Sequence, residues 1–174
     1  GTILDAAVID TYVSDYSSFK KTVNKSNLIP RFLFVSLWLL LSGAPSLYAQ
    51  REKLPPDDRD FVEKKWPNAK RTYTCLRYVV VQPGQKDGAS PVPGNMVAVL
   101  YKGMLLNGSV FDESPDRDHP LVTRLGRGEL IDGWEEALQK MHKGEKWILI
   151  VPSEMGYGAR GKPPSIPRDA TLVF

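Results

Sequence analysis

The chain has 174 residues, 42% of them hydrophobic, with 23 basic and 20 acidic residues and a formal charge of +3. That apolar content supports one ordinary core and excludes a disordered chain, and charges of both signs mixed along the sequence argue against a nucleic-acid partner. The single cysteine, Cys75, excludes an internal disulfide and a thiolate metal cluster, and the two histidines, His119 and His142, lack ligand spacing and the partners that nucleophilic chemistry needs.

In chain order, residues 1–49 read as a leader. The first methionine is Met96, so residues 1–22 are read as mistranslated upstream sequence, with Val23 or Leu28 at an alternative start. Lys20, Lys21, Lys25 and Arg31 precede an apolar run over 32–41, and small residues follow to Ala49. Basic, apolar and small residues in that order predict a secretory signal peptide cut between Ala49 and Gln50. The rival is a membrane anchor from an uncleaved leader, against which the run is short of the roughly 20 residues a spanning helix needs.

Residues 50–71 are polar, and Pro55, Pro56 and Pro67 bracket one short helix at most. This stretch reads as a linker or a packed lead-in, which Phe61, Val62 and Trp66 could pin to a surface. From Thr72 the pattern changes to strands, expected over 76–81 and 97–101, then a hairpin over 105–111 turning at Asn107-Gly108, then 121–125, 147–151 and 171–174. Asn107-Gly108-Ser109 also matches a glycosylation sequon, but the turn reading is preferred. Cys75, within the strand pattern that begins at Thr72, is read as a small apolar residue that is buried. Between the later strands, Trp134, Ala137, Leu138 and Met141 recur at i, i+3, i+4, i+7, which predicts an amphipathic helix over 130–141. Asp132 and Glu135 resemble a capping box at its start, and Gly144 a stop at its end. The pattern predicts an α+β domain over 72–174, with a curved antiparallel sheet of about five strands wrapped around one short helix.

Local motifs point to no cofactor and no metal. Gly126-Arg127-Gly128 lacks the spacing and the Lys-Ser/Thr of a phosphate loop, and Asp112, Glu113, Asp116 and Asp118 lack the pattern of a calcium loop. By periodicity alone Tyr101, Trp134 and Phe174 are core aromatics, and Asp112 with Arg117 a loop ion pair.

A longer constellation changes that reading. Val97-Ala-Val-Leu-Tyr101, Asn107-Gly-Ser-Val-Phe111-Asp112, Leu125-Gly126, Leu130-Ile131-Asp-Gly133-Trp134-Glu-Glu, Met141, Gly144-Glu145, Tyr157-Gly158, Ile166-Pro167 and Ala170-Thr-Leu-Val-Phe174 resemble the FKBP-type peptidyl-prolyl cis-trans isomerases. The resemblance runs from about Leu76 to Phe174. It implies a shallow aromatic pocket that holds a substrate proline, with Trp134 as floor and Tyr101, Phe111, Tyr157 and Phe174 as walls. Leu130 and Ile131 would form the rim, with the Ile131 N–H offered to a peptide carbonyl. Asp112 would stand beside the proline, near Tyr101 and held by Arg117, and Ile166 would lie on the flap above. Asp112, Tyr101 and Tyr157 are the expected catalytic residues. No cofactor is implied.

The sequence departs from the family pattern in places. Leu121 stands where many members have an aromatic wall, Met155 replaces an aromatic near the flap, and Lys162 and Ser165 alter its tip. Macrolide affinity is therefore expected to be reduced. Phe174 falls partway into the family's last strand, so the sequence reads as truncated there. The resemblance and the leader together imply an exported bacterial folding enzyme, in the periplasm, acting on proline-containing clients. The alternative is a chaperone or binding module that holds such segments without useful turnover.

Overall fold

The computed structural model describes residues 51–174 apart from 86, 87, 115 and 117. The leader over 1–49 and the place expected for Arg117 therefore lie outside the described residues. The elements are α1 (Pro56–Lys65), β1 (Lys70–Arg71), β2 (Arg77–Gln82), β3 (Met96–Val99), β4 (Lys102–Leu105), β5 (Val110–Glu113), β6 (Leu121–Arg124), α2 (Asp132–Leu138), β7 (Lys146–Val151) and β8 (Leu172–Val173), with two short 3₁₀ turns between β7 and β8. Six strands form one sheet in the order β1-β2-β7-β8-β4-β5, and β3 pairs with β6 in a second. Every pairing is antiparallel. The α+β class stands, with eight short strands in two sheets among the described residues rather than about five in one.

Strand β7 is the spine. Its Ile150 and Val151 are fully buried, because β2 and β8 flank it and α2 lies against it. Contact with α2 is close enough to require Gly133, where an added Cβ would stand 2.7 Å from Val151 Cγ1. Trp134, Ala137 and Leu138 of α2, with Met141 just beyond, enter one core with Leu76, Val97, Leu149 and Leu172. Each fully buried Leu, Val or Ile contributes about 1.5–3 kcal/mol.

The helix is shorter than its periodicity predicts. Residue Ile131 is the N-cap, with φ −66° and ψ 150° and no side-chain cap bond. The capping box read at Asp132 and Glu135 does not form, since both Glu135 carboxylate oxygens accept from the Gly126 N–H, at 3.1 and 2.9 Å. The helix has ended by Gln139, so Gly144 is not its stop. With φ 80°, it sits in the turn where the Glu145 N–H reaches the His142 carbonyl at 3.0 Å.

Two strand readings also change. The run over 97–101 stops at Val99, because Tyr101 is held by the strand beyond: its N–H donates to Ser114 Oγ at 2.8 Å, and its carbonyl accepts from the Ser114 N–H at 2.9 Å. Cys75 is buried as expected but occupies a turn, with φ 72°, and its thiol donates to the Arg51 carbonyl at 3.2 Å. The hairpin forms between β4 and β5, where the Gly108 N–H reaches the Leu105 carbonyl at 2.9 Å and Asn107 Oδ1 accepts from the Ser109 N–H at 3.0 Å.

Residues 51–71 pack onto this core. Leu54, Phe61 and Val62 are buried in it, and Asp58 accepts from Thr171 Oγ1 at 2.8 Å. Polar anchoring comes from Arg77, whose buried guanidinium meets Glu52 at 2.8 Å and Glu63 at 3.3 Å. Arg71 also reaches Glu52, at 3.0 Å. No described helix is long and apolar enough to cross a membrane.

Candidate active site

The first turn of α2 delivers Trp134 to the middle of an aromatic cluster drawn from distant parts of the chain. Tyr101, in the link between β3 and β4, meets it edge to face at 5.0 Å and 86°, and Phe174 does so at 5.1 Å and 80°. Phe111 of β5 packs on Phe174 at 5.7 Å and 87°. Each such pair adds about 0.5–1.5 kcal/mol beyond its buried area. Phe174 is held by reciprocal backbone bonds with Leu149 of β7, at 2.9 and 2.8 Å. Gly103 allows the rings to fold over β4, since an added Cβ would lie 2.6 Å from Phe111 and 3.0 Å from Phe174.

These rings line a concavity of about 580 Å³. Leu121 and Tyr157 complete its apolar wall, and Leu130 and Ile131 form one side of its mouth. The Ile131 carbonyl is spent on the Trp134 and Glu135 N–H groups, at 2.9 and 3.1 Å, whereas the Ile131 N–H makes no hydrogen bond among the described residues. It remains able to donate to a bound carbonyl.

Asp112 stands at the edge of the concavity and accepts the Tyr101 hydroxyl at 2.7 Å. Burial, then the bond to Asp112 and its charge, push the Tyr101 pKa well above the ordinary phenol value near 10. The hydroxyl is thus locked as a donor to Asp112. Among the described residues the second carboxylate oxygen has no hydrogen-bond partner.

Of the residues expected at the site, the structure brings together Tyr101, Phe111, Asp112, Leu121, Leu130, Ile131, Trp134, Tyr157 and Phe174. Arg117 lies outside the described residues, and Ile166 does not line the concavity. Ile166 is only 1% exposed, because reciprocal 2.9 Å backbone bonds between Lys162 and Ile166 close the flap and Ile166 packs into the core cluster. Lys162 lines the mouth in its stead, with its ammonium 5.7 Å from the Tyr157 ring. Sequence reading also passed over Gly128, Glu129, Asp132 and Gly156, which line the concavity as well. The signal for Glu129 and Asp132 was present in their direct flanking of Leu130-Ile131. Among the described residues no group of His, Cys, Asp and Glu is arranged to hold a metal.

A family model described as FKBP-type peptidyl-prolyl cis-trans isomerase matches residues 88–174. The chain belongs to that family. A relative named FK506-binding protein from Neisseria meningitidis is 49% identical over 87 residues, covering 50% of this chain and 80% of its own. FK506-binding protein 1A of Aspergillus fumigatus is 46% identical over 84 residues, 48% of this chain and 75% of that protein. Among solved structures, FkpA from Escherichia coli superposes with a TM-score of 0.58 at 39% identity, covering 66% of this chain. The match spans about half of FkpA, 53% of that chain. The FKBP-type fold and the isomerase class of its family thus apply to the domain that carries the Trp134 cluster.

Proposed function

We propose that the chain accelerates rotation about X–Pro bonds in client polypeptides by seating the proline ring on Trp134, between Tyr101, Phe111, Tyr157 and Phe174. An X–Pro bond resists rotation through amide resonance, with a barrier of about 18–20 kcal/mol, and relaxes over tens of seconds or longer unaided. Turnover in milliseconds requires on the order of 10⁴-fold acceleration, or about 5–6 kcal/mol. The twisted amide has less charge separation than the planar one, so a dry aromatic cup favours it over the ground state. Asp112, fixed by Tyr101, stands where it can orient the client beside the proline, and the Ile131 N–H offers a bond to a client carbonyl. No bond is made or broken.

The observation that carries this reading is the edge-to-face aromatic cup with one unspent N–H at its rim. Residues 1–49 are assigned as a leader that exports the domain, 50–71 as a lead-in and 72–174 as the isomerase domain, so the clients are exported proteins. Support for export lies in the basic, apolar and small residues over 20–49. Macrolide binding is assigned as weakened, because Leu121 gives a thinner wall than an aromatic ring would. A peptide isomerisation assay tests the function: the parent should accelerate a neutral X–Pro substrate, and Trp134→Ala and Asp112→Ala should slow it. Tight peptide binding without acceleration would instead identify a holding module.

A further inference from the structure

We infer that the mouth of this site selects by charge for client segments with a lysine or arginine beside the proline, and that Glu129 and Asp132 are the residues that do so. The inference rests on the isomerase reading above. The aromatic cup accounts for the proline ring but is indifferent to its neighbours, whose side chains must lie along the mouth. There the lining is uneven, with three carboxylates, Asp112, Glu129 and Asp132, against one ammonium, Lys162, among the described residues.

Glu129 and Asp132 bracket Leu130 and Ile131, and therefore the free Ile131 N–H that would hold the client backbone. Both are exposed. Asp132 makes no hydrogen bond or ion pair among the described residues, and Glu129 accepts only from the neutral Thr123 hydroxyl, at 2.8 Å. Lys162 stands on the flap beside Tyr157. Arg127, two residues before Glu129, does not line the concavity. A client lysine can lay its stem along Leu130 and bring its ammonium to these carboxylates, whereas a client glutamate meets like charge. Exposed pairs of this kind shift affinity by about two- to five-fold.

The test is a set of peptides with one proline, differing only in whether lysine, glutamine or glutamate precedes or follows it. At low salt, kcat/KM should run Lys, then Gln, then Glu in at least one of the two positions, chiefly through KM. The spread should shrink at 1 M salt, where the screening length is about 3 Å. In Glu129→Gln with Asp132→Asn the lysine-to-glutamine ratio should fall to near one, and in Asp132→Lys the order should invert. Acceleration of all the peptides within two-fold of one another at low salt would overturn this inference and leave the isomerase reading standing. A spread that survives both the double variant and high salt would assign the selectivity elsewhere and overturn it too. No acceleration of any peptide would overturn both.

Discussion

The aromatic cup around Trp134 and the polar clip around Arg77 lie on the same small core but hold it by opposite means. The cup is four rings from positions 101, 111, 134 and 174 meeting edge to face, with almost no polar bond beyond Tyr101 to Asp112. The clip is a guanidinium 7% exposed, shared by Glu52 and Glu63, that fastens residues 51–71 to β2. Apolar contacts leave a concave surface able to accept a ring, while the ion pairs commit one guanidinium nitrogen to two carboxylates and leave the buried Arg77 Nε without a partner among the described residues. The first arrangement suits binding and the second suits anchoring, so changes to the cup should strike turnover and changes to the clip should strike only stability.

Trp134→Ala should have the largest effect. Loss of a buried tryptophan costs about 3–5 kcal/mol, which denaturant unfolding would report, and removes the floor on which a proline would sit. Gly103→Ala comes next, since its methyl would press on Phe111 and Phe174. Crowding of this order costs about 1–3 kcal/mol and should raise KM by narrowing the cup. Unchanged KM would mean that the rings yield without reshaping the site.

On the other side, Arg77→Met should destabilise by about 1–3 kcal/mol, the cost of stranding hydrogen-bonded groups. Faster proteolysis within 51–71 and little change in kcat/KM would sharpen the contrast, and lost turnover in the folded variant would break it. The clip also predicts a pH dependence. Burial pulls the Glu52 pKa up, but the Leu54 N–H and the Arg77 charge and hydrogen bond outweigh it, and the net value lies below the ordinary 4.5. A lowered folded-state value means that Glu52 adds stability above its ordinary pKa and loses it as pH falls through the folded one. Protection factors of residues 51–62, with the intrinsic slowing of exchange in acid removed, should therefore fall as pH drops, and Glu52→Gln should remove most of that dependence. Tyr101→Phe should be the mildest change, at about 0.5–1.5 kcal/mol for one hydrogen bond, with the cup intact.

Elements were readable where the signal was local. The Asn107-Gly108 turn, the apolar face of α2 and the strand at β7 all follow from residues near one another. The capping box failed because Glu135 bonds to Gly126, nine positions away, and no local rule anticipates that choice. Tyr101 looked like the end of a strand because its apolar run is continuous, yet Ser114, 13 positions on, takes its backbone. The cup itself was invisible to periodicity, which left its rings as separate core aromatics, and only the ordered family motif joined them. That motif carried order without side-chain direction, which is why Glu129 and Asp132 were overlooked at its mouth.

The central claim is that proline rotation occurs in the Trp134 cup. Exchange spectroscopy by NMR on a peptide with one X–Pro bond, with substoichiometric protein, measures that rotation directly. Cis and trans resonances should exchange within the mixing time for the parent and for Arg77→Met, and should stay in slow exchange for folded Trp134→Ala. Equal exchange with the parent and Trp134→Ala would contradict the claim.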